Sequence, residues 1–166
     1  MKRKNINKFF RASVVIVVYN EKNEILTFER INADDVWQLP QGGIKDLEDN
    51  ITAGLRELLE ETNIHSSDVL FLAEYPDWLA YELPTHLWNE KVGRGQVQKF
   101  LCFKFIGNPN NIQPLKVSTP EFKSWKWMTK AQLLEKTNSF RVRNYELALT
   151  YFEKFHPNRK LCIAHR

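Results

Sequence analysis

The sequence predicts an α+β fold in which a mixed β-sheet lies between layers of helix, as an α/β/α sandwich. Three observations support this prediction. The 166 residues, of which 43% are hydrophobic and 13% aromatic, are enough for one domain with its own core. Apolar runs typical of strands lie on both sides of an amphipathic helical segment that begins near Asn50. Two further helical segments lie late in the chain, and no repeat or linker divides it.

The predicted elements follow in chain order. Residues 12–19 (ASVVIVVY) are apolar and rich in β-branched residues, which predicts a buried strand, and turn-prone residues 20–23 lead to a second strand at 24–29. Later strands are predicted at 68–73, 98–105 and 125–128, and helices from about residue 50, at 130–135 and at 143–155. One domain is expected over 1–166, with a short basic lead at 1–9 and a C-terminal tail at 157–166.

The helical segment that begins near residue 50 carries three glutamates on one face. At about 100° per residue, Glu57, Glu60 and Glu61 fall together. Crowded carboxylates repel one another and need a compensating cation, for which hard oxygen ligands favour Mg²⁺, Mn²⁺ or Ca²⁺. Taken alone, such an acidic run is more typical of an exposed helix surface. The opposite face is expected to pack through Ile51, Leu55, Leu58 and Leu59.

The ends of this helix are also predicted. Asp49 or Asn50 is expected to cap its N-terminus. Asn63 is expected just past its C-terminus in the left-handed conformation, which Asn adopts more readily than other non-glycine residues. Gly54, inside the helix, costs ~1 kcal/mol relative to Ala and reflects either close packing or chance.

The context of the acidic helix is more specific than the helix itself. Residues 42–64 resemble the Nudix box, G-x5-E-x7-R-E-U-x-E-E-x-G-U, in which U is a bulky apolar residue. Asn63 stands where the family has Gly. The resemblance implies the Nudix-type α/β/α sandwich around a mixed sheet. The matching residues are Gly42, Glu48, Arg56, Glu57, Leu58, Glu60, Glu61 and Ile64.

Matches outside the box narrow the subgroup. Residues 37–43 (WQLPQGG) are similar to the WQ-x-PQGG sequence of bacterial RNA pyrophosphohydrolases and of the related dinucleoside polyphosphate hydrolases. Further matches lie at 77–81 (DWLAY), 95–100 (GQVQKF), 118–122 (STPEF) and 139–141 (SFR), so the resemblance covers most of the chain. The chain departs from the subgroup at Ala12-Ser13, where Pro-Asn is usual, and at Arg141, where Lys is usual.

The resemblance implies an enzyme that uses water to cleave a phosphoanhydride bond. Glu61 and Glu121 are the candidates for the base or for an additional metal ligand. Arg56 is assigned to orienting a carboxylate, because a guanidinium fork can hold one in place. The resemblance implies no organic cofactor, and it implies Mg²⁺, with Mn²⁺ as an alternative. The residues assigned to the metal are Glu57, Glu60, Glu61, Glu48 and Gly42.

Substrate recognition is expected from cationic and aromatic residues around the acidic face. Phe140 followed by Arg141 offers a base-stacking surface beside a phosphate-binding charge. Tyr81 is assigned to packing first and to the ligand second. Each of these residues taken alone is more typical of packing or of a surface charge, and only the subgroup pattern favours binding. The residues assigned to a triphosphate or to the next nucleotide are Arg11, Arg30, Lys99 and Gln96.

Composition restricts the partners and the compartment. The net charge of +4 and the pI of about 9.0 favour anionic partners such as nucleotides or RNA. The two cysteines, Cys102 and Cys162, make no disulfide framework, so a reducing cytoplasm is predicted, with Cys102 in the core. The apolar stretch at 12–19 is too short to span a bilayer, so no membrane partner is expected. A monomer is expected, and a protein activator is left open.

Three functions are compatible with these observations. The first is an RNA pyrophosphohydrolase, which converts a 5′-triphosphate or 5′-diphosphate RNA end to a 5′-monophosphate and so initiates mRNA decay. The second is a hydrolase of dinucleoside polyphosphates such as diadenosine tetraphosphate, or of (deoxy)nucleoside triphosphates. The third is a non-catalytic nucleotide-binding regulator, which the intact Glu57, Glu60 and Glu61 argue against. No paired histidines, P-loop, EF-hand or G-x-S-x-G sequence points to another chemistry.

Overall fold

The computed structural model describes residues 9–156, and one mixed sheet organises this part of the chain. The basic lead predicted at 1–9 and the tail predicted at 157–166 lie outside the described residues, apart from Phe9. None of the helices in residues 9–156 has the length and apolar character needed to cross a bilayer. The α-helices are α1 (Asn50–Thr62), α2 (Lys130–Lys136) and α3 (Ser139–Phe152). The strands are β1 (Phe10–Tyr19), β2 (Ile25–Arg30), β3 (Trp37–Gln38), β4 (Gln41–Gly43), β5 (Val69–Glu74), β6 (Leu79–Glu82), β7 (Gly95–Phe105) and β8 (Phe122–Met128).

The two central strands, β1 and β7, pair in parallel from Phe10 opposite Gly95 to Tyr19 opposite Lys104. The other strand pairings within the described residues are antiparallel, and the strand order is β3-β2-β1-β7-β5. Beside this path, β4 pairs with β1, β6 with β7 and β8 with β2. The predicted mixed sheet is confirmed.

Both faces of β1 are buried from Ser13 to Tyr19, which explains the continuous apolar sequence of this part of the strand. Val14, Ile16 and Val18 belong to a core that includes residues of α1, whereas Val15 and Val17 belong to a second core with residues of α2 and α3. Helices therefore cover both faces of the sheet, and the predicted α/β/α sandwich is confirmed.

Strands β3, β4 and β6 have no counterpart among the predicted elements. They contain two, three and four residues, which is too short for a periodic apolar pattern to emerge. Helix α3 begins at Ser139 instead of at residue 143 and ends at Phe152, where a 3₁₀ turn continues to Phe155. The predicted helix is therefore present, but it starts one turn earlier.

The predicted division of α1 into an acidic face and a packed face is wrong at two positions. Leu59, assigned to the packed face, is 39% exposed, whereas Glu61, assigned to the acidic face, is only 8% exposed. Strand β4 lies against this side of the helix, and the backbone N–H of Gln41 donates to Glu61 Oε2 over 3.1 Å. Glu61 is buried in part by a strand that is too short to predict.

Side-chain and backbone contacts fix both ends of α1. Asp49 is the N-cap, because its carboxylate accepts a hydrogen bond of 2.9 Å from a backbone N–H of the first turn. Asn63 follows the helix with a φ of 64°, and its N–H donates to the carbonyl oxygen of Leu59, so the predicted left-handed cap is confirmed. A Cβ at Gly54 would overlap the side chain of Leu101, so close packing accounts for this glycine.

We expect Asn63→Ala to lower the free energy of unfolding by about 1 kcal/mol, because Ala adopts the left-handed conformation less readily than Asn. Asn63→Gly is expected to leave the stability unchanged or to raise it slightly. Urea denaturation of the three proteins measures both effects. An equal loss in both variants would show that the contact of the Asn63 side chain with the Asn111 backbone matters, and not the cap conformation.

The buried thiol of Cys102 gives a second prediction. The side chain is fully buried, as predicted from the sequence, and burial raises its pKa to about 12. Because the thiolate is the reactive form, Cys102 is expected to resist Ellman's reagent in the native protein. Cys162→Ser leaves Cys102 as the one thiol of the chain, and labelling of this variant should require denaturant. Immediate labelling without denaturant would contradict the prediction.

Candidate active site

The site is built where strand β4 lies against helix α1. Gly42 and Gly43 pair with β1, and side chains from both neighbouring elements reach across them. A Cβ at Gly42 would overlap the carboxylate of Glu57, and a Cβ at Gly43 would overlap the guanidinium of Arg11. Glycine at these two positions therefore allows an acidic and a basic side chain to approach the same short stretch of backbone.

Arg56 holds the acidic side chains of this region together. Its Nε and Nη2 donate to the two carboxylate oxygens of Glu48 over 2.8 and 2.9 Å, and Nη2 also donates to the carbonyl oxygen of Gly43 over 2.8 Å. Its Nη1 donates to Glu57 over 2.6 Å and to Glu60 over 3.2 Å. Hydrogen bonds from Arg56, with one from a backbone N–H, lower the pKa of Glu48 to about 2. One guanidinium thus joins the loop, the helix and strand β4.

Two of the glutamates are disfavoured as anions by their surroundings. Burial raises the pKa of Glu61 well above its ordinary value, and the negative charges of Glu121 and Glu57 raise it further, while the hydrogen bond from Gln41 opposes the shift. The pKa of Glu57 is also raised by burial, although Arg56 lowers it in part. The charge of these carboxylates is therefore poorly compensated by the protein itself.

The acidic side chains fit a hard divalent cation by their chemistry. Within residues 9–156, no three His, Cys, Asp or Glu side chains already converge as metal ligands. Glu57 and Glu61 nevertheless line one cavity, and Glu60 lies within reach of the same guanidinium as Glu57. Burial and like charges disfavour the anionic forms of Glu57 and Glu61, and a bound divalent cation would stabilise those forms. Carboxylate oxygens are the donors that Mg²⁺ and Mn²⁺ prefer.

A cavity of about 590 Å³ opens beside these glutamates. The structure brings together there most of the residues that the sequence assigns to the site. Glu48, Arg56 and Glu60 are not among the lining residues, and they meet the site through the Arg56 contacts. The predicted residues that line the cavity are Gly42, Glu57, Glu61, Glu121, Arg11, Arg30, Gln96, Tyr81, Phe140 and Arg141.

Lys99 is not brought to the cavity. It is 7% exposed, its Nζ donates to the carbonyl oxygen of Pro76 over 2.8 Å, and it lies 3.3 Å from Glu74. Lys99 therefore connects strand β7 to Glu74 and Pro76, at the end of β5 and in the segment that leads into β6. The position of Lys99 could have been predicted from strand geometry. Side chains an odd number of residues apart on a strand, such as Gln96 and Lys99, point to opposite faces of the sheet.

Four cationic side chains line the cavity, and none has an ion-pair partner among the described residues. Arg30 donates to the amide oxygen of Gln38 over 3.1 Å, and Arg141 is only 7% exposed. A buried guanidinium without a carboxylate is costly in the free protein, so Arg141 points to an anionic ligand. Lys91 is absent from the sequence assignments because it lies in a loop with no motif, and only the fold brings it to the cavity. The four residues are Arg11, Arg30, Lys91 and Arg141.

The aromatic residues assigned to the ligand are already in contact with each other. The ring centroids of Tyr81 and Phe140 lie 5.2 Å apart with an interplanar angle of 33°, and the guanidinium of Arg141 lies 4.8 Å from the Phe140 centroid. Tyr81 is 7% exposed, which agrees with its assignment to packing first. A base that stacks on Phe140 has to use the ring area that these two neighbours leave uncovered.

Comparison with known proteins agrees with the fold and with the acidic motif. An RNA pyrophosphohydrolase from Dinoroseobacter shibae is 36% identical over 148 residues, which cover 86% of this chain and 91% of that protein. Nudix hydrolase 27, chloroplastic, from Arabidopsis thaliana is 37% identical over 155 residues, which cover 88% of this chain and 67% of that protein.

A solved structure supports the same conclusion about the fold. The binary complex of a C. elegans Ap4A hydrolase superposes with a TM-score of 0.64 at 20% sequence identity, covering 87% of this chain and 99% of that one. Residues 9–148 match the NUDIX domain, which includes β1, the acidic helix and most of α3. The chain therefore belongs to the Nudix family.

Proposed function

We propose that this Nudix hydrolase acts on the 5′ end of RNA, converting a 5′-triphosphate or 5′-diphosphate to a 5′-monophosphate and so initiating mRNA decay. The family and its relatives named RNA pyrophosphohydrolase indicate a pyrophosphohydrolase with an RNA or nucleoside polyphosphate substrate. The similarity to the D. shibae enzyme over most of both chains supports RNA as the substrate of this one.

The observation that carries the proposal is the charge distribution of the cavity. Glu57, Glu61 and Glu121 line the same space as four cations that have no ion-pair partner in the described part of the chain. A phosphate chain carries several negative charges, which suit the cations, whereas a divalent metal suits the carboxylates. A cavity that contains both sets is suited to a metal-bound polyphosphate.

The metal would be held by carboxylates of the Nudix box. Nudix hydrolases generally use divalent ions, and we infer Mg²⁺, with Mn²⁺ as the alternative. When bound, the ion supplies neutralisation of charge on the phosphate oxygens and a lower pKa for the attacking water. The residues assigned to it are Glu57, Glu60, Glu61, Glu48 and Gly42.

The remaining steps are assigned to side chains of this chain. Glu61 or Glu121 accepts a proton from the attacking water. Arg56 acts as a support, because its contacts restrict the carboxylates of Glu48 and Glu57 to one arrangement. Arg11 and Arg30, both on the cavity wall, bind phosphate oxygens. Gln96 is assigned to the phosphate chain or the next nucleotide. Phe140 is assigned to base stacking with Arg141 as the phosphate-binding charge beside it, and Tyr81 to packing first and to the ligand second.

A small-molecule substrate is the second candidate. The cavity would also accept the phosphate chain of diadenosine tetraphosphate or of a nucleoside triphosphate, because its cations recognise charge and not the length of an RNA. A non-catalytic nucleotide-binding regulator is the third, and the poorly compensated charge of Glu57 and Glu61 argues against it, since a pure binder gains nothing from that cost.

We infer a cytoplasmic monomer without a membrane partner. The compartment is inferred from the two cysteines, which make no disulfide framework in the sequence. A protein activator stays compatible with this proposal.

The substrate is tested by a side-by-side assay with Mg²⁺ on 5′-triphosphorylated RNA, 5′-diphosphorylated RNA, diadenosine tetraphosphate and single nucleoside triphosphates. We expect the highest kcat/KM on the RNA ends. Rapid turnover of a dinucleotide or mononucleotide with untouched RNA ends would favour the second candidate. Tight nucleotide binding without any turnover would favour the regulator.

Glu61→Gln is expected to lower kcat by about 10²–10⁴-fold, as for loss of a catalytic base or of a metal ligand. The free energy of unfolding without metal should not fall in this variant. It removes a buried, poorly compensated charge, and the new glutamine side chain can still accept from the Gln41 N–H. A raised pKa means that the folded chain binds the Glu61 proton more tightly than the unfolded chain. Stability of the metal-free wild type should therefore decrease as pH rises above the ordinary glutamate range, and the variant should decrease less.

Thermal melts with and without Mg²⁺ complete this test. Mg²⁺ should raise the Tm of the wild type more than that of Glu61→Gln, because a ligand that binds the folded state more tightly stabilises it more at the same concentration. Glu135→Gln, an exposed acid on α2, is the matched control and should behave as the wild type. Full activity of Glu61→Gln would overturn the catalytic assignment.

A further inference from the structure

A network of four side chains, here called the amide network, connects β1, β4 and β7 beside the cavity. Its members are Ser13, Gln41, Gln96 and Gln98. The amide oxygen of Gln96 accepts from Ser13 Oγ over 2.9 Å, from Gln41 Nε2 over 3.2 Å and from Gln98 Nε2 over 3.1 Å. Gln98 Nε2 also lies 3.3 Å from the amide oxygen of Gln41. Three donors therefore converge on one oxygen atom.

In this network the oxygen of the Gln96 amide lies on the side of Ser13, Gln41 and Gln98, which leaves its NH₂ group on the other side. Its oxygen is fully used by the three donors, since an amide oxygen has two lone pairs. Its NH₂ group has no hydrogen-bond partner among residues 9–156, and Gln96 lines the cavity. Rotation of this amide by 180° would require Gln41 and Gln98 to rotate as well, so the three amides orient one another. Gln96 thus presents a donor, and not an acceptor, to the cavity.

Gln98 contributes to this arrangement at a cost to stability. It is fully buried, and its own amide oxygen has no hydrogen-bond partner. An unpaired buried acceptor destabilises the folded state, and an apolar side chain of the same length would avoid that loss. The two acceptors that Gln98 reaches belong to Gln96 and Gln41, which both line the cavity. The presence of a glutamine at position 98 is therefore better explained by the orientation of Gln96 and Gln41 than by a gain in stability.

The strand register explains why the four residues meet. Ser13 on β1 lies opposite Gln98 on β7 in the parallel pair, and Gln96 is on the same face of β7 as Gln98. Gln41 on β4 completes the network from the other side of β1, and its backbone N–H donates to Glu61.

We propose that Ser13 and Gln98 are positioning residues that hold the Gln96 amide so that its NH₂ group donates to a phosphate oxygen of the substrate. The inference rests on the proposed function only in requiring a substrate with a phosphate chain. It is independent of whether that chain belongs to an RNA end, a dinucleotide or a mononucleotide.

Gln98→Met removes the positioning amide and keeps the length of the side chain. We expect KM to rise by about tenfold while kcat stays within about twofold, because the donor binds the ground state and the transition state alike. We expect Tm to stay constant or to rise, since the unpaired buried acceptor is removed. Thr27→Val, which also removes a fully buried polar group but on β2, is the matched control and should leave KM unchanged.

Gln96→Glu tests the direction of the amide. A carboxylate accepts the same three hydrogen bonds but cannot donate, and it adds a negative charge beside the phosphate chain, so KM should rise more than in Gln98→Met. A variant that keeps the wild-type KM would show that an acceptor faces the substrate, which overturns the proposal.

A double-variant cycle separates positioning from a general effect on the cavity. Once Gln96→Met has removed the amide, adding Gln98→Met should change KM no further. Additive effects, or an unchanged KM in a folded Gln98→Met protein, overturn the proposal. If Gln98→Met fails to fold, Ser13→Ala is the second variant and should give a smaller rise in KM. An unchanged KM in Ser13→Ala would then overturn the proposal.

The measurements use whichever substrate of the panel the wild type hydrolyses. If the wild type hydrolyses none of them, the proposed function fails. The dissociation constant of inorganic tripolyphosphate, measured by calorimetry, then replaces KM in the same comparisons. If the dissociation constants of the variant and the wild type are nearly equal in that assay, the positioning role is overturned independently of the proposed function.

Discussion

The Arg56 guanidinium is the interaction on which the acidic half of the site depends. It contacts the backbone of β4 at Gly43, the loop at Glu48 and the helix at Glu57 and Glu60. The Glu61 carboxylate also connects the helix to β4 through the N–H of Gln41, but it does not reach the loop. The bidentate contact to Glu48 fixes the plane of the guanidinium, and this in turn fixes where the other carboxylates lie. The geometry of the site is thus set by a residue with no assigned part in the chemistry.

The cavity holds charges of both signs that form no direct ion pair with each other among the described residues, although Arg30 and Arg11 act on Glu61 and Glu57 from a distance. Arg141 and Arg30 lie among its lining residues without carboxylate partners, although Glu57 and Glu61 line the same space. A buried charge without a direct partner destabilises the folded state, so the lack of ion pairs is a cost. The cost is explained if each set has a ligand of opposite sign, a metal for the acids and phosphates for the cations. Charges that are held apart in advance need no rearrangement when the ligand arrives.

The sequence predicts the layers of the fold and the centre of the site better than it predicts the walls of the site. Long strands such as β1 and β7 carry enough residues for a periodic signal, and the Glu57–Glu61 spacing is local to one helix. The burial of Glu61 depends on β4, a strand of three residues, which no pattern reveals. Lys91 and the loop that carries it reach the cavity only through tertiary structure. Lys99 could have been placed correctly, because strand alternation separates it from Gln96.

The parallel pairing of β1 with β7 has a consequence for the order in which the protein is made. These strands are joined by 75 intervening residues, because β1 ends at Tyr19 and β7 begins at Gly95. A ribosome releases the acidic helix well before it has synthesised β7 and the guanidinium of Arg141. A nascent chain that stops short of Gly95 lacks β7 and so cannot form the central pair. Pairing β1 with β7 closes a long loop, and the entropy lost in that closure is offset only when the contacts between the two strands form. Arg11, Arg30, Glu57, Glu61 and Lys91 are therefore synthesised before the central pair can form, and Glu121 and Arg141 complete the cavity only late in translation.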